Sequence, residues 1–280
     1  MDTDLRQPLG PLETIVYTVD DRGVARITLN RPDAANARNQ RMRDELHRAY
    51  DHVATSGEVT VTVLTGAGEK FFCAGMDLKE ASAPETPLQR RDRLRRNRDI
   101  EELAHLPQPT IAAINGYALG GGCEMALACD LRVMADEASI GLTEVTHGLM
   151  PGGGGTQRLP RLIGSARAAE LIFLSERVDG VRAAELGLVN RHVPRAELHD
   201  AVDALAGRIA DQPATALRAA KEALLAGQDL PMGAAVEREL DGLLFLLAEQ
   251  AAERERRATE AHPNGSNAEG RAPAETPQHR

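Results

Sequence analysis

The chain has no tryptophan and only three tyrosines and four phenylalanines among its 280 residues. It therefore lacks the ring surfaces on which single-stranded nucleic acid stacks. Positive charge is in deficit as well: 33 Lys and Arg stand against 42 Asp and Glu, a formal net charge of -9, which argues against a nucleic-acid partner. Cysteine is scarce. Cys73, Cys123 and Cys129 form no C-x-x-C pair and are odd in number, a pattern of reduced thiols rather than of a disulfide framework. No apolar run reaches the ~20 residues a membrane-spanning helix needs, and the N-terminus is polar and acidic, unlike a secretory signal. These absences predict a cytoplasmic protein with neither a membrane nor a nucleic-acid partner. What remains, 42% hydrophobic and 27% charged residues, is the composition of a globular chain long enough to bury a substantial core.

The stretch that stands out is Tyr117-Ala118-Leu119-Gly120-Gly121-Gly122-Cys123-Glu124-Met125-Ala126-Leu127-Ala128-Cys129-Asp130. Three consecutive glycines lead into an apolar run that contains a single acid, Glu124, and a plain core helix has no use for that charge. The glycines let a ligand approach the backbone closely. A helix starting there aims free N–H groups and the positive end of its dipole at whatever lies above it. A second acid, Glu144, follows 20 residues later, after one helix, one returning strand and a turn, which returns it to the same end of the fold. A single buried Glu is more often an ion-pair partner. Two of them beside glycine-rich helix starts favour catalysis, because paired carboxylates can divide acid and base roles.

Elsewhere the pattern predicts a hairpin over 14–19 and 24–29, turning at Asp20-Asp21-Arg22-Gly23. A helix is expected over 39–53, a strand covered on both faces over 59–65, and a packed strand-to-loop junction or ligand loop over 71–78. Residues 89–104 read as one polar helix whose Arg90, Arg91, Arg93, Arg95, Arg96 and Arg98 form a solvated face or, less readily, a phosphate contact. Strands are predicted over 110–114, 131–135 and 139–141. Strand, short strand and helix recur at about twenty residues, which implies stacked β-β-α units. Gly152-Gly153-Gly154-Gly155-Thr156 leads into a helix from 157 to 163, and the missing Gly-Lys-Ser/Thr ending excludes a phosphate loop. Neither glycine run has the spacing of a dinucleotide fingerprint. Amphipathic helices follow over 165–174, 180–186, 196–210, 213–225 and 232–250, the last with an apolar stripe at Leu240, Leu243, Leu244 and Leu247. Residues 262–280 have the composition of a disordered tail.

Four stretches, Ile27-Thr28-Leu29-Asn30-Arg31-Pro32, Phe72-Cys73-Ala74-Gly75-Met76-Asp77-Leu78, the glycine stretch 117–130, and 148–161 with Pro-Gly-Gly-Gly-Gly-Thr-Gln-Arg-Leu-Pro-Arg, resemble the crotonase superfamily in the right order. The likeness is closest to its enoyl-CoA hydratases and runs from about 15 to 247. The resemblance implies an α/β fold: a crotonase-like spiral of β-β-α units over 12–210 and a helical, trimer-forming region over 211–261. It implies an acyl-CoA thioester as substrate, with coenzyme A part of that substrate and no separate cofactor or metal, and a homotrimer or dimer of trimers. It places the two oxyanion N–H donors at Met76 and Gly121. Glu124 would help deprotonate a water attacking C3, and Glu144 would protonate C2. Ala74, Asp77, Leu78, Gly120, Gly122 and Arg38 are the matching substrate or CoA-binding positions. The alternatives within this resemblance are a double-bond isomerase or a specialised dehydratase, and outside it a non-catalytic CoA-ester binding protein. Three departures are visible, the mildest being Ala34-Ala35-Asn36-Ala37 where the family usually has Ala-Leu-Asn-Ala, in the loop that would border the CoA adenine. His147 stands where hydratases more often have an aliphatic or small residue, either as a solvent-facing loop residue or tuning the acid, and the family's closing acidic motif is not recognisable over 249–263.

Overall fold

Asp20 folds the first two strands back on each other. Its Oδ1 accepts from the Arg22 and Val24 N–H groups at 3.0 and 2.8 Å, and Gly23 takes the positive φ of 78° that closes the turn. The strands β1 (Ile15–Val19) and β2 (Val24–Leu29) pair antiparallel, Ile15 opposite Leu29 and Val19 opposite Ala25. The computed structural model describes residues 5–81 and 85–261, so the predicted disorder of 262–280 lies outside the described residues.

Asn39 then starts α1 (Gln40–Thr55) by accepting from the Met42 N–H at 2.9 Å, the expected use of an Asn cap. Three successive rounds follow the same plan. In the first, β3 (Val61–Gly66) leads to the short β4 (Phe71–Cys73) and then to α2 (Leu78–Ala81), α3 (Pro87–Arg96) and α4 (Asp99–Ala104). In the second, β5 (Thr110–Ile114), β6 (Tyr117–Leu119) and α5 (Gly121–Ala128) follow one another directly. In the third, β7 (Leu131–Ala135), β8 (Ser139–Gly141) and a 3-10 turn over Glu144–His147 precede α6 (Gly155–Ile163) and α7 (Ser165–Phe173). The chain continues through β9 (Val178–Asp179), α8 (Gly180–Glu185), β10 (Arg191–Val193), α9 (Leu198–Ala210), α10 (Ala214–Gly227) and α11 (Met232–Ala261).

The long strands form one sheet in the order β1-β2-β3-β5-β7-β10, and the short strands form a second, β4-β6-β8-β9. From β2 to β10 the large sheet is parallel, as is β4-β6-β8. All residues of β3 and β5 are buried, the pattern of parallel strands covered on both faces. This is an α/β fold of stacked β-β-α units with a helical C-terminal region, the architecture expected from the resemblance. Because β4, β6 and β8 are parallel neighbours, the segments that leave their C-terminal ends emerge side by side. Those segments contain Met76, Gly121 and Glu144.

One expected element is two. The helix read over 89–104 breaks at Asn97, whose φ and ψ of -83° and 71° leave the helical region. The break lets α4 bury Asp99, Ile100, Leu103 and Ala104, whereas α3 buries nothing. Three arginines of α3 are ion-paired: Arg93, half-buried, donates to both Glu85 carboxylate oxygens at 2.7 and 2.9 Å, Arg90 pairs with Glu85 as well, and the exposed Arg91 pairs with Asp92. The strands β6, β9 and β10 had no periodicity to announce them, being two or three residues long.

Two compact units meet in sequence after Glu222. In the first, Lys221 is 5% exposed and donates to the Gln108 carbonyl at 2.9 Å while pairing with Asp130 at 2.7 Å. In the second, the 30-residue α11 presents Leu240, Leu243, Leu244 and Leu247 about half exposed. Among the described residues no helix is long and apolar enough to cross a membrane.

Candidate active site

Each glycine of the Gly120–Gly122 run answers a separate steric demand. Gly120 takes φ 53° and ψ -121°, a conformation closed to side-chain-bearing residues, while its N–H extends the β6–β8 pairing to the Gly141 carbonyl at 3.0 Å. A Cβ at Gly121 would lie 2.5 Å from Nη2 of Arg38, and one at Gly122 would lie 2.0 Å from the Cys73 carbonyl oxygen. The segment after β4 thus presses directly on the start of α5. Gly75, with φ 97°, comes close enough that a Cβ there would meet the Gly121 nitrogen at 2.9 Å.

That approach brings two N–H groups together. Arg38 and Met76 form a parallel bridge in which the Arg38 N–H donates to the Gly75 carbonyl at 2.8 Å and its carbonyl accepts from Asp77 at 3.1 Å. Both bonds use residue 38 and bypass residue 76. Gly121 opens α5, where the first-turn N–H groups have no intrahelical acceptor. Neither the Met76 nor the Gly121 N–H donates to an acceptor among the described residues.

Glu124 lies in the first turn of α5 and is 4% exposed. Its Oε1 accepts from the Gly153 and Gly155 N–H groups at 2.6 and 2.9 Å. Gly155 is the first residue of α6, so the carboxylate sits at a second helix N-terminus, where donors and dipole complement negative charge. The second glycine run is the cradle of Glu124: a Cβ on Gly153 would lie 2.6 Å from Glu124 Oε2 and from Ile100 Cδ1. Glu144 approaches from the turn after β8. Its Oε1 would lie 3.4 Å from a Cβ on Gly120, and its Oε2 is buried with no partner. Burial lifts the Glu144 carboxyl above the usual range; a hydrogen bond from its own backbone N–H opposes the rise and the charge of Glu124 adds to it.

The remaining predicted positions divide. Ala74 is tied by its N–H to the Ala35 carbonyl at 3.0 Å, and Leu78 is 63% exposed at the start of α2. The Asp77 carboxylate accepts from Arg31 at 2.9 Å and from the Lys79 N–H at 3.1 Å. Burial opposes its charge, but those donors hold its carboxyl below the usual range. The Arg38 guanidinium is turned inward to Asp99. His147 is exposed at the end of the 3-10 turn. Sequence reasoning missed Gly153 and Gly155 as the holders of Glu124, although four glycines ahead of a helix were the visible signal. It also missed Asp99, which gave none. Among the described residues no group of three or more His, Cys, Asp or Glu is arranged to hold a metal ion.

Two backbone N–H groups without an acceptor, on the segments that leave the C-terminal edge of parallel strands together with Glu124 and Glu144, are the kind of arrangement suited to polarising a carbonyl and moving protons beside it. The comparisons agree with that class. A family model described as "Enoyl-CoA hydratase/isomerase" matches residues 20–259, and the chain belongs to that family. It is 38% identical over 229 residues to the short-chain-enoyl-CoA hydratase of Clostridium acetobutylicum, covering 81% of this chain and 88% of the relative. It is 35% identical over 240 residues to the crotonyl-CoA hydratase of Syntrophomonas wolfei, covering 85% and 92%. The crystal structure of an enoyl-CoA hydratase from Bacillus anthracis superposes with a TM-score of 0.79 at 40% identity, over 87% of this chain and 97% of that one.

Proposed function

We propose that the protein is an enoyl-CoA hydratase that adds water across the 2,3 double bond of a 2-enoyl-CoA thioester. The observation that supports this most directly is the juxtaposition of the free Met76 and Gly121 N–H groups with Glu124 and Glu144. The thioester oxygen would accept from both N–H groups, and these donors are fixed by the fold before charge develops on it, which is what lowers such a barrier. A water between the carboxylates would lose a proton to Glu124 as its oxygen attacks C3. Glu144, whose raised pKa favours the protonated form, would deliver a proton to C2. The bonds formed are C3–O and C2–H, the π bond is consumed, and the net addition is one water. No step calls for a further cofactor, since coenzyme A arrives as part of the substrate.

The short-chain and crotonyl names of the two relatives make crotonyl-CoA the first substrate to assay, with a longer 2-enoyl-CoA beside it. Undiminished hydration by both Glu124→Gln and Glu144→Gln would sink this mechanism. The exposed leucine stripe of α11 supports assembly of copies into a trimer or a dimer of trimers. Light scattering at micromolar concentration checks this, and a monomer would contradict it.

A further inference from the structure

Arg38 touches both oxyanion donor positions, one with its backbone and the other with its side chain. Its N–H and C=O bind the residues on either side of Met76, at 2.8 and 3.1 Å. In a parallel bridge this turns the Met76 N–H away from residue 38, so the backbone of Arg38 fixes the direction of the first donor. Its guanidinium lies beneath the second: from the place of a Gly121 Cβ, Nη2 is 2.5 Å and Cζ 3.5 Å away. Asp99, 1% exposed, accepts from Nη1 and clamps the head group, while Nε has no partner. The loop leading to Arg38 is held just as firmly. Ala35 and Asn36 both have positive φ, 54° and 52°. The Asn36 side chain accepts from the Arg31 N–H at 2.9 Å and donates to the Ala67 and Phe71 carbonyls at 3.0 and 2.8 Å. Two successive strained non-glycine residues persist only where the surroundings over-determine them, and such strain clusters at functional sites.

A buried ion pair is a poor way to stabilise a fold, since the loss of solvation commonly matches or exceeds the attraction and apolar residues of similar size do as well. Its place beside the Gly121 backbone, on the residue whose own backbone brackets Met76, gives it another use. We propose that the Arg38–Asp99 pair is a positioning device for the oxyanion hole, in which Arg38 sets the spacing of the Met76 and Gly121 N–H groups and places positive charge behind the thioester oxygen. Arg38 is a positioning residue here, because its buried head group is turned to Asp99 and to the Gly121 backbone. The inference rests on the hydratase reading of the same site.

The test compares wild type, Arg38→Lys, Asp99→Asn and the double variant Arg38→Leu/Asp99→Leu. The double variant removes both charges at once, the change a buried pair tolerates best, and Arg43, 3.8 Å from Asp99, keeps its pairing with Glu80 at 3.4 Å. Hydration of crotonyl-CoA gives kcat and KM. Butanoyl-CoA, which has no double bond to hydrate, gives a Kd and, by infrared difference spectroscopy, the shift of the thioester carbonyl stretch on binding. The double variant should fold and bind butanoyl-CoA within about threefold of wild type, yet lose roughly tenfold to a hundredfold in kcat, the scale of a small misplacement of reacting groups. Its carbonyl shift should shrink, with Arg38→Lys intermediate. Wild-type kcat together with a wild-type carbonyl shift in the double variant overturns the proposal. If that variant does not fold, the same readings on Asp99→Asn and Arg38→Lys decide it in the same way. A wild-type protein that shifts the butanoyl-CoA carbonyl but hydrates no 2-enoyl-CoA overturns the hydratase reading instead, and a smaller shift in the variants then still supports Arg38.

Discussion

Glu124 and Glu144 reach one site from two regions built on opposite principles. Glu124 comes from a helix buried on every side, and two backbone N–H groups at the start of a second helix hold one of its oxygens. Glu144 comes from a four-residue 3-10 turn with exposed neighbours, and one of its oxygens is buried with nothing to bind. The first environment supplies two hydrogen-bond donors to a carboxylate oxygen. The second penalises charge and favours a carboxyl that keeps its proton. A hydratase working through one base and one acid requires that asymmetry, and the division can be broken or sharpened by experiment.

The largest effect should come from removing either carboxylate. Glu124→Gln and Glu144→Gln should each lower kcat for crotonyl-CoA hydration by roughly a hundredfold to ten-thousandfold, the usual worth of a placed acid or base, measured by loss of the enoyl absorbance. Next in size is an attack on the Glu124 cradle from outside it. Gly153→Ala drives a methyl group into Glu124 Oε2 and Ile100, whereas Gly152→Ala meets nothing within 4 Å. The first should lower kcat by about ten- to a hundredfold and the second should leave it unchanged; equal effects would show that Glu124 does not depend on that loop.

The pH profile probes the other half of the comparison. Because the Glu144 pKa is raised, by burial first and by Glu124 in addition, the protonated form needed for hydration persists above the usual carboxylate range and is lost as pH rises through the folded value. The hydration rate should fall on that alkaline limb, and Glu144→Gln should flatten what activity remains. The smallest effect is on stability. A carboxyl whose folded pKa is raised imposes no penalty below its unfolded value and a growing one as pH rises through the folded value. Glu144→Gln should therefore raise Tm at neutral pH by about 1 to 3 °C and lose that gain in acid. Glu124→Gln, which weakens two charge-assisted hydrogen bonds, should lower Tm by a similar ~1 to 3 °C at neutral pH. Opposite signs in a thermal scan support the asymmetry, and matching signs break it.

Much of this arrangement was legible before any coordinates. Glycines and one misplaced acid marked the start of α5, and the 20-residue interval to Glu144 was long enough for a helix out and a strand back. Local chemistry sets such features: positive φ demands glycine, and apolar runs bounded by turns become strands. Some of the shorter elements escaped, although the three-residue strand over 139–141 is where the sequence places it. Three residues, as in β6 or β10, give no period to read, and they form strands because parallel neighbours offer them hydrogen bonds. The arginine-rich segment was read as one helix because its composition is continuous, whereas the burial demanded by Asp99 and Ile100 breaks it.

What the sequence determined by itself was the kind of backbone at each point: where it must be free of side chains, where it turns, and which acids lie in apolar surroundings. Only the tertiary structure decided the partners. The Glu124 oxygen finds amides 29 and 31 positions away, and Arg38 finds Asp99 at a separation of 61. Nothing in either neighbourhood specifies those pairings. They follow from packing, because β4, β6 and β8 lie parallel and deliver to one edge three loops that are far apart along the chain.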